Sequence, residues 1–159
     1  MRKSLLIAAL ALVPAFAFAA ALLAEPIKVE LKDFKVLTVD GKEAPDALGY
    51  SMDDNKLFYY TRGIGTATVK FPDDGDYTLV LEASCDKAKD ELAKIKIKLG
   101  DKVVKEDFAL TTDGAKEYKF EVTVKKGELK LSVEFLNDTY KEGEYDLNFY
   151  LHGAKFEKK

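Results

Sequence analysis

One pattern constrains this chain more than any other: apolar and polar residues alternate, run after run, from Asp76 to the C-terminus. Tyr77, Leu79, Leu81, Ala83 and Cys85 share one face of the run ending at Cys85, and Ile95, Ile97 and Leu99 share one face of Lys94 to Leu99. Tyr118, Phe120, Val122 and Val124 alternate with charged or hydroxyl residues over Glu117 to Lys125. Leu129, Leu131, Val133 and Phe135 do so over Glu128 to Phe135. A period of two is the signature of strands with one wet face and one buried face. Shorter runs of the same kind are Ile27 to Leu31, Lys35 to Val39, Leu57 to Tyr60, Thr66 to Phe71, Val103 to Leu110 and Leu147 to Phe156.

The breaks between runs are made of turn residues. Pro72-Asp73-Asp74-Gly75-Asp76, Gly100-Asp101 and Lys126-Gly127 are short and suit antiparallel pairing. One-sided strands bury themselves by packing two sheets face to face. The expectation is an all-β fold, an antiparallel β-sandwich of jelly-roll type. Asp86 to Leu92 is the best short helix or loop candidate, and its charges read as solvated. Leu131, Val133, Phe135, Phe120 and Leu81 are expected in the core.

The first residues follow another logic. Met1-Arg2-Lys3 is basic, Ser4 to Val13 is nearly all apolar, and Ala17-Phe18-Ala19 offers small residues at both recognition positions of a signal peptidase. This is the layout of a secretory signal peptide over residues 1–19. Residues 20–26 then form a short lead into one domain over 27–159, and the destination is the medium or the periplasm. Loss of Arg2 and Lys3 leaves 23 basic against 28 acidic side chains, a net charge of −5. An acidic chain whose one remaining arginine is Arg62 is poorly suited to nucleic acid, and after cleavage to a membrane surface.

Few chemistries survive the composition. The single Cys85 forbids an internal disulfide and reads as a buried, inert thiol. His152 has no partner histidine for a metal cluster, no Gly-x-Ser-x-Gly elbow occurs, and His152 reads as a strand-surface or rim residue. Asp73, Asp74 and Asp76 read as a hairpin turn. One segment is different. Asn137-Asp138 ends a strand, a polar loop with Gly143 follows, and Asp146-Leu147-Asn148 opens the next strand. Two carboxylates and two amides meet at one hairpin end, as calcium's hard oxygen coordination would ask. Spacing alone reads most simply as an Asn/Asp-rich turn with solvated charges.

The strand Gly127-Glu128-Leu129-Lys130-Leu131-Ser132-Val133-Glu134-Phe135, then Leu136-Asn137-Asp138, then Asp146-Leu147-Asn148-Phe149-Tyr150-Leu151, resembles the calcium-dependent, xylan-binding type of carbohydrate-binding module. Those modules run a Gly-x-His-x-Leu-x-Val-x-Phe strand into Asn-Asp, followed by a variable loop and Asp-x-Asn-Leu-Tyr-Val. The resemblance spans roughly Leu57 to Phe156. It implies a non-catalytic sandwich in which a loop calcium is the sugar receptor. Asp138 and Asp146 are then carboxylate ligands, and Asn137 and Asn148 are ligands or support them. Tyr140 and Tyr145 flank the site and are the candidates to stack on a sugar ring. The implied partner is a polysaccharide or oligosaccharide, and the implied cofactor is calcium. Leu147 stands where such modules often carry Arg, and His152 where related sandwiches place an acidic residue. The alternative is a structural or protein-interaction sandwich that has lost sugar binding.

Overall fold

The computed structural model describes residues 24–159; the expected targeting segment and its cleavage point after Ala19 lie outside them. Numbered in chain order, the strands are β1 Ile27–Lys28, β2 Lys35–Thr38, β3 Leu48–Ser51, β4 Lys56–Tyr59, β5 Gly63–Phe71, β6 Gly75–Cys85 and β7 Lys94–Leu99. They continue with β8 Lys102–Ala109, β9 Lys116–Val124, β10 Gly127–Phe135, β11 Tyr140–Lys141, β12 Tyr145–Asp146 and β13 Phe149–Lys158. One sheet has the order β3-β4-β13-β6-β9, with β1 added beside the far half of β13. The other has the order β2-β5-β10-β7-β8, and β11 pairs only with β12. Every pairing is antiparallel. Successive strands β4, β5, β6 and β7 alternate between the sheets, and so do β8, β9 and β10. The chain crosses the sandwich repeatedly, which is the jelly-roll layout.

The alternation sets what lies inside. Leu79, Leu81, Ile95, Ile97, Leu131, Val133, Phe135, Phe149, Leu151 and Phe156 are sealed between the sheets, and Phe120 joins them. Each such side chain contributes about 1.5–3 kcal/mol by leaving water. All five expected core residues are buried. Phe71 packs edge-on against both Tyr77 and Phe156 at one end, and Phe135 stacks on Phe149 at the other.

A close approach fixes the middle. Tyr59 is fully buried and aims its phenol at the Val133 carbonyl, 3.5 Å away, across the two sheets. The ring passes over Gly65, where any Cβ would collide with the Tyr59 hydroxyl and press on Phe34. Only a residue without a side chain lets β4 and β5 carry that tyrosine.

The expected runs appear as strands, with differences in detail. Ile27 to Leu31 shortens to β1 followed by a 3-10 turn over Leu31–Asp33, because Leu31 and Phe34 turn inward together. Strand β3 was not expected: Gly49 interrupts its apolar pattern, and it forms because Leu48 and Tyr50 pair with Tyr59 and Leu57. Asp86 to Leu92 is a loop pinned by an Ala88–Glu91 bridge. The Asp-rich turn, expected as a hairpin, instead carries the chain from β5 in one sheet to β6 in the other, and its carboxylates tie the crossover down: Asp73 on Lys158, Asp74 on Lys125 and the Lys126 amide, and Asp76 accepting from Thr123. Cys85 is buried and receives the Ala93 amide on sulfur; burial pushes its thiol up, as an inert role requires.

Candidate functional site

Three stretches of chain converge at one end of the sandwich. The first follows β10: Asn137, Asp138 and Thr139. The second opens β13: Asp146, Leu147 and Asn148. They lie side by side, since the Leu147 amide donates to the Thr139 carbonyl at 2.9 Å. Leu147 is fully buried and anchors this seam to the core, so its two polar neighbours are held at the rim. The third stretch is the β4–β5 connection, where the Thr61 hydroxyl donates to Asp138 Oδ2 at 3.1 Å.

Asp138 is half-buried, and its carboxyl is held above the usual carboxylate range. Desolvation is the main cause; the Thr61 hydrogen bond opposes it, the Asp146 charge adds to it, and Arg62 works against it. Two carboxylates and an arginine thus share one electrostatic neighbourhood. Asp138 Oδ1 and Asn148 Oδ1 are buried with no hydrogen-bond partner, and they are the only such side-chain atoms among the described residues. Buried oxygens in folded proteins are nearly always satisfied. Two orphans at one rim, next to a second carboxylate, form a donor set suited to a hard cation.

Asn148 is aimed by its other end. Its Nδ2 donates to Asp86 Oδ2 at 2.9 Å, and the Tyr150 hydroxyl donates to the same oxygen at 2.7 Å. The Asp86 amide also donates to the Asn148 carbonyl. Asp86, expected to be a solvated loop charge, therefore fixes which way the Asn148 amide faces. Burial, followed by the Asp86 hydrogen bond and charge, pushes the Tyr150 phenol up, which keeps it a donor.

Asn137 does not join this set. Its Oδ1 accepts the Lys94 amide at 2.6 Å and its Nδ2 donates to the Leu92 carbonyl at 3.1 Å. Both ends of the amide clamp the start of β7 to the end of β10. Tyr140 is 65% exposed on the β11–β12 ribbon, turned by Gly143 at φ 72°. Tyr145 is half-buried against the core with Lys89 over its ring at 5.1 Å. Tyr60, by contrast, precedes Thr61, is 44% exposed, and sits 4.9 Å from Phe58 and 6.2 Å from Tyr150 between ring centres. Asp86, Thr61, Arg62, Tyr60 and Tyr150 were not singled out as site residues from the sequence. Only the Asp-x-Asn-x-Tyr spacing placed Tyr150 near the others.

Among the described residues, no three His, Cys, Asp or Glu side chains converge on a metal position. Any cation here would take the rest of its shell from amide or backbone oxygens, water or a ligand.

The family model for a Ca-dependent, xylan-binding carbohydrate-binding module (CBM60) matches residues 78–158, half of the chain. The chain belongs to this family. The match takes in Asp86, Asp138, Asp146, Asn148 and Tyr150 of this calcium-dependent module, while Tyr60, Thr61 and Arg62 precede it. No curated protein is similar in sequence. A family 35 carbohydrate-binding module from Clostridium thermocellum is similar in structure, with TM-score 0.60 and 12% identity over 86% of this chain and 100% of that one. A CBM36 module solved in complex with calcium and xylotriose superposes with TM-score 0.55 and 13% identity, covering 81% and 98%. The C-terminal CBM6 of a laminarinase from Zobellia galactanivorans gives 0.54 and 11%, covering 84% and 100%. At these identities the likeness establishes the shared sandwich. As a carbohydrate-binding module of this family, the chain is non-catalytic.

Proposed function

We propose that this module is exported and binds xylan-type polysaccharide through a calcium ion held by Asp138, Asp146 and Asn148. The supporting observation is the pair of orphaned buried oxygens, Asp138 Oδ1 and Asn148 Oδ1, beside a second carboxylate. Calcium bound there supplies a Lewis-acidic centre whose waters vicinal sugar hydroxyls can replace. The protein side of the work is orientation. Asp86 turns the Asn148 carbonyl oxygen toward the rim, Thr61 holds one oxygen of Asp138, and Leu147 keeps both stretches anchored. Asn137 supports the rim from behind. Tyr140 remains the exposed aromatic of the ribbon, while Tyr145 serves packing. The basic, apolar, small-residue order of residues 1–19 supports export.

Calorimetric titration with calcium, then with xylo-oligosaccharide, in the presence and absence of EDTA, tests the reading. The expected result is saccharide binding that EDTA abolishes. A chain that takes up no calcium at millimolar concentration, or binds xylan equally well in EDTA, would leave the interaction-sandwich alternative.

A further inference from the structure

The calcium rim is one end of a longer surface. The outer face of the six-stranded sheet descends from it in ranks set by strand register. Tyr60 stands at the top, next to Thr61. Below it, Phe58, Tyr150 and Ser84 lie in one row, because Tyr150 pairs with Phe58 on β4 and with Ser84 on β6. Ser84 Oγ and His152 Nε2 are hydrogen-bonded at 2.7 Å, linking that row to the next. Lys56 also bridges the rows, its ammonium lying over the Tyr150 ring at 4.7 Å. The β-bulge between Leu151 and Gly153 falls at His152, on this face. Beyond it opens a groove of about 370 Å³, floored by Val80 and lined by Asn55, Glu82, Glu117, His152 and Lys155, with Val29 to Leu31 as one wall.

The sequence of surfaces is coherent. A cation site for hydroxyls comes first, then a half-exposed aromatic ring, then a trough of hydrogen-bonding groups with a small apolar floor. Sugars of a β-linked chain present hydroxyls at their edges and C–H bonds on their faces. Tyrosine offers an apolar face with a polar tip, which suits such a ring. The groove is of the size that pockets for small ligands have. From Asn148 to Lys155 the strand advances seven residues, about 23 Å at roughly 3.3 Å per residue. That path has room for several sugar units, whereas calcium coordination alone engages one.

We propose that a saccharide chain anchored at the calcium rim continues across this face, over Tyr60 and along the row of Tyr150 and Ser84, into the groove beside His152 and Glu82. The inference rests on the calcium-site reading and adds to it a direction and a chain-length preference. The ligand class is an extended, hydroxyl-rich oligosaccharide of several units.

The test compares xylobiose with xylohexaose by calorimetry on the full chain in excess calcium. Xylohexaose should bind at least tenfold more tightly. Tyr60→Ala should weaken both ligands. Glu82→Ala, at an exposed position, should weaken xylohexaose about fivefold and leave xylobiose and calcium unchanged. If Glu82→Ala lowers the melting temperature enough to blur the result, His152→Gln gives the same readout. Equal affinity for the two lengths, or a groove substitution that leaves xylohexaose binding intact, would overturn the track while the calcium site stands. Loss of calcium-dependent binding at both lengths in the unsubstituted protein would overturn the calcium-site reading as well.

Discussion

Asp86 accepts the Tyr150 hydroxyl and the Asn148 amide on a single oxygen, at 2.7 and 2.9 Å. Asp86 follows the end of β6 and Tyr150 lies on β13, 64 positions away, and the Asp86 carboxylate sets the direction of the otherwise unpaired Asn148 side-chain oxygen. Groups that orient metal ligands typically govern affinity by ten- to a hundredfold. Asp86→Ala should therefore weaken calcium at least about tenfold. A calcium titration unchanged by this substitution would show that Asn148 needs no such support.

Calcium should stabilise the module by linkage. At a hundred times the dissociation constant the gain is about 2.7 kcal/mol, a rise of roughly 10 °C in Tm for a domain of this size. Asp138→Asn and Asp146→Asn should each erase that rise. A melt of either variant that still climbs with calcium would remove that residue from the ligand set.

The sign of the acid dependence follows from Asp138. Burial and the Asp146 charge raise its folded-state pKa above the ordinary value near 3.8. Without metal, its contribution to stability is complete below that ordinary value and is lost as pH rises through the folded value. In EDTA near neutral pH, Asp138→Asn should accordingly match or exceed the unsubstituted protein in Tm. Calcium affinity should run the other way, falling in acid because protons compete for a carboxylate that holds them unusually well. Titrations at several pH values would reveal an acid-insensitive affinity if this were wrong.

Asn137 separates support from ligation. Removing its amide leaves the Lys94 N–H and the Leu92 carbonyl without partners, a cost of about 1–3 kcal/mol each if they stay dry. Asn137→Ala should lower Tm in EDTA and in calcium alike, preserving the difference between them. Asn148→Ala should mainly shrink that difference. Paired melts of the two variants distinguish these outcomes.

Phe135 is fully buried and stacks on Phe149 directly beneath the rim. Phe135→Ala should cost about 3–5 kcal/mol. Denaturant unfolding that shows a loss below about 1 kcal/mol would contradict the packing at this end.

The sandwich was legible because its information is local. Tyr118 to Val124 and Leu129 to Phe135 declare strand and inward face within nine residues, and the structure places those faces inward. Strand β3 was not, since Leu48-Gly49-Tyr50-Ser51 becomes a strand only against β4. The site divides the same way. Asp138, Asp146 and Asn148 stand in one short segment whose order carries the pattern. Thr61 and Asp86 reach it from 77 and 62 positions away, through contacts that exist only once the sheets have formed. Tyr145 was expected at the sugar surface, yet the β11–β12 ribbon turns its ring toward the core, leaving Tyr140 outward. Two-residue strands carry too little alternation to reveal which tyrosine faces in.

The fit of Tyr59 over Gly65 ties a remote glycine to the rim. Tyr59 is followed immediately by Tyr60 and Thr61, so whatever displaces its phenol also moves the stretch that holds Asp138. A substitution such as Gly65→Ala would thus act as a distant mutation on calcium binding despite offering no group to the metal. In an evolving lineage the two positions would be free to change only together, with a smaller residue at 59 arriving before or with a larger one at 65. The interior, by this route, limits how freely the recognition surface can diversify.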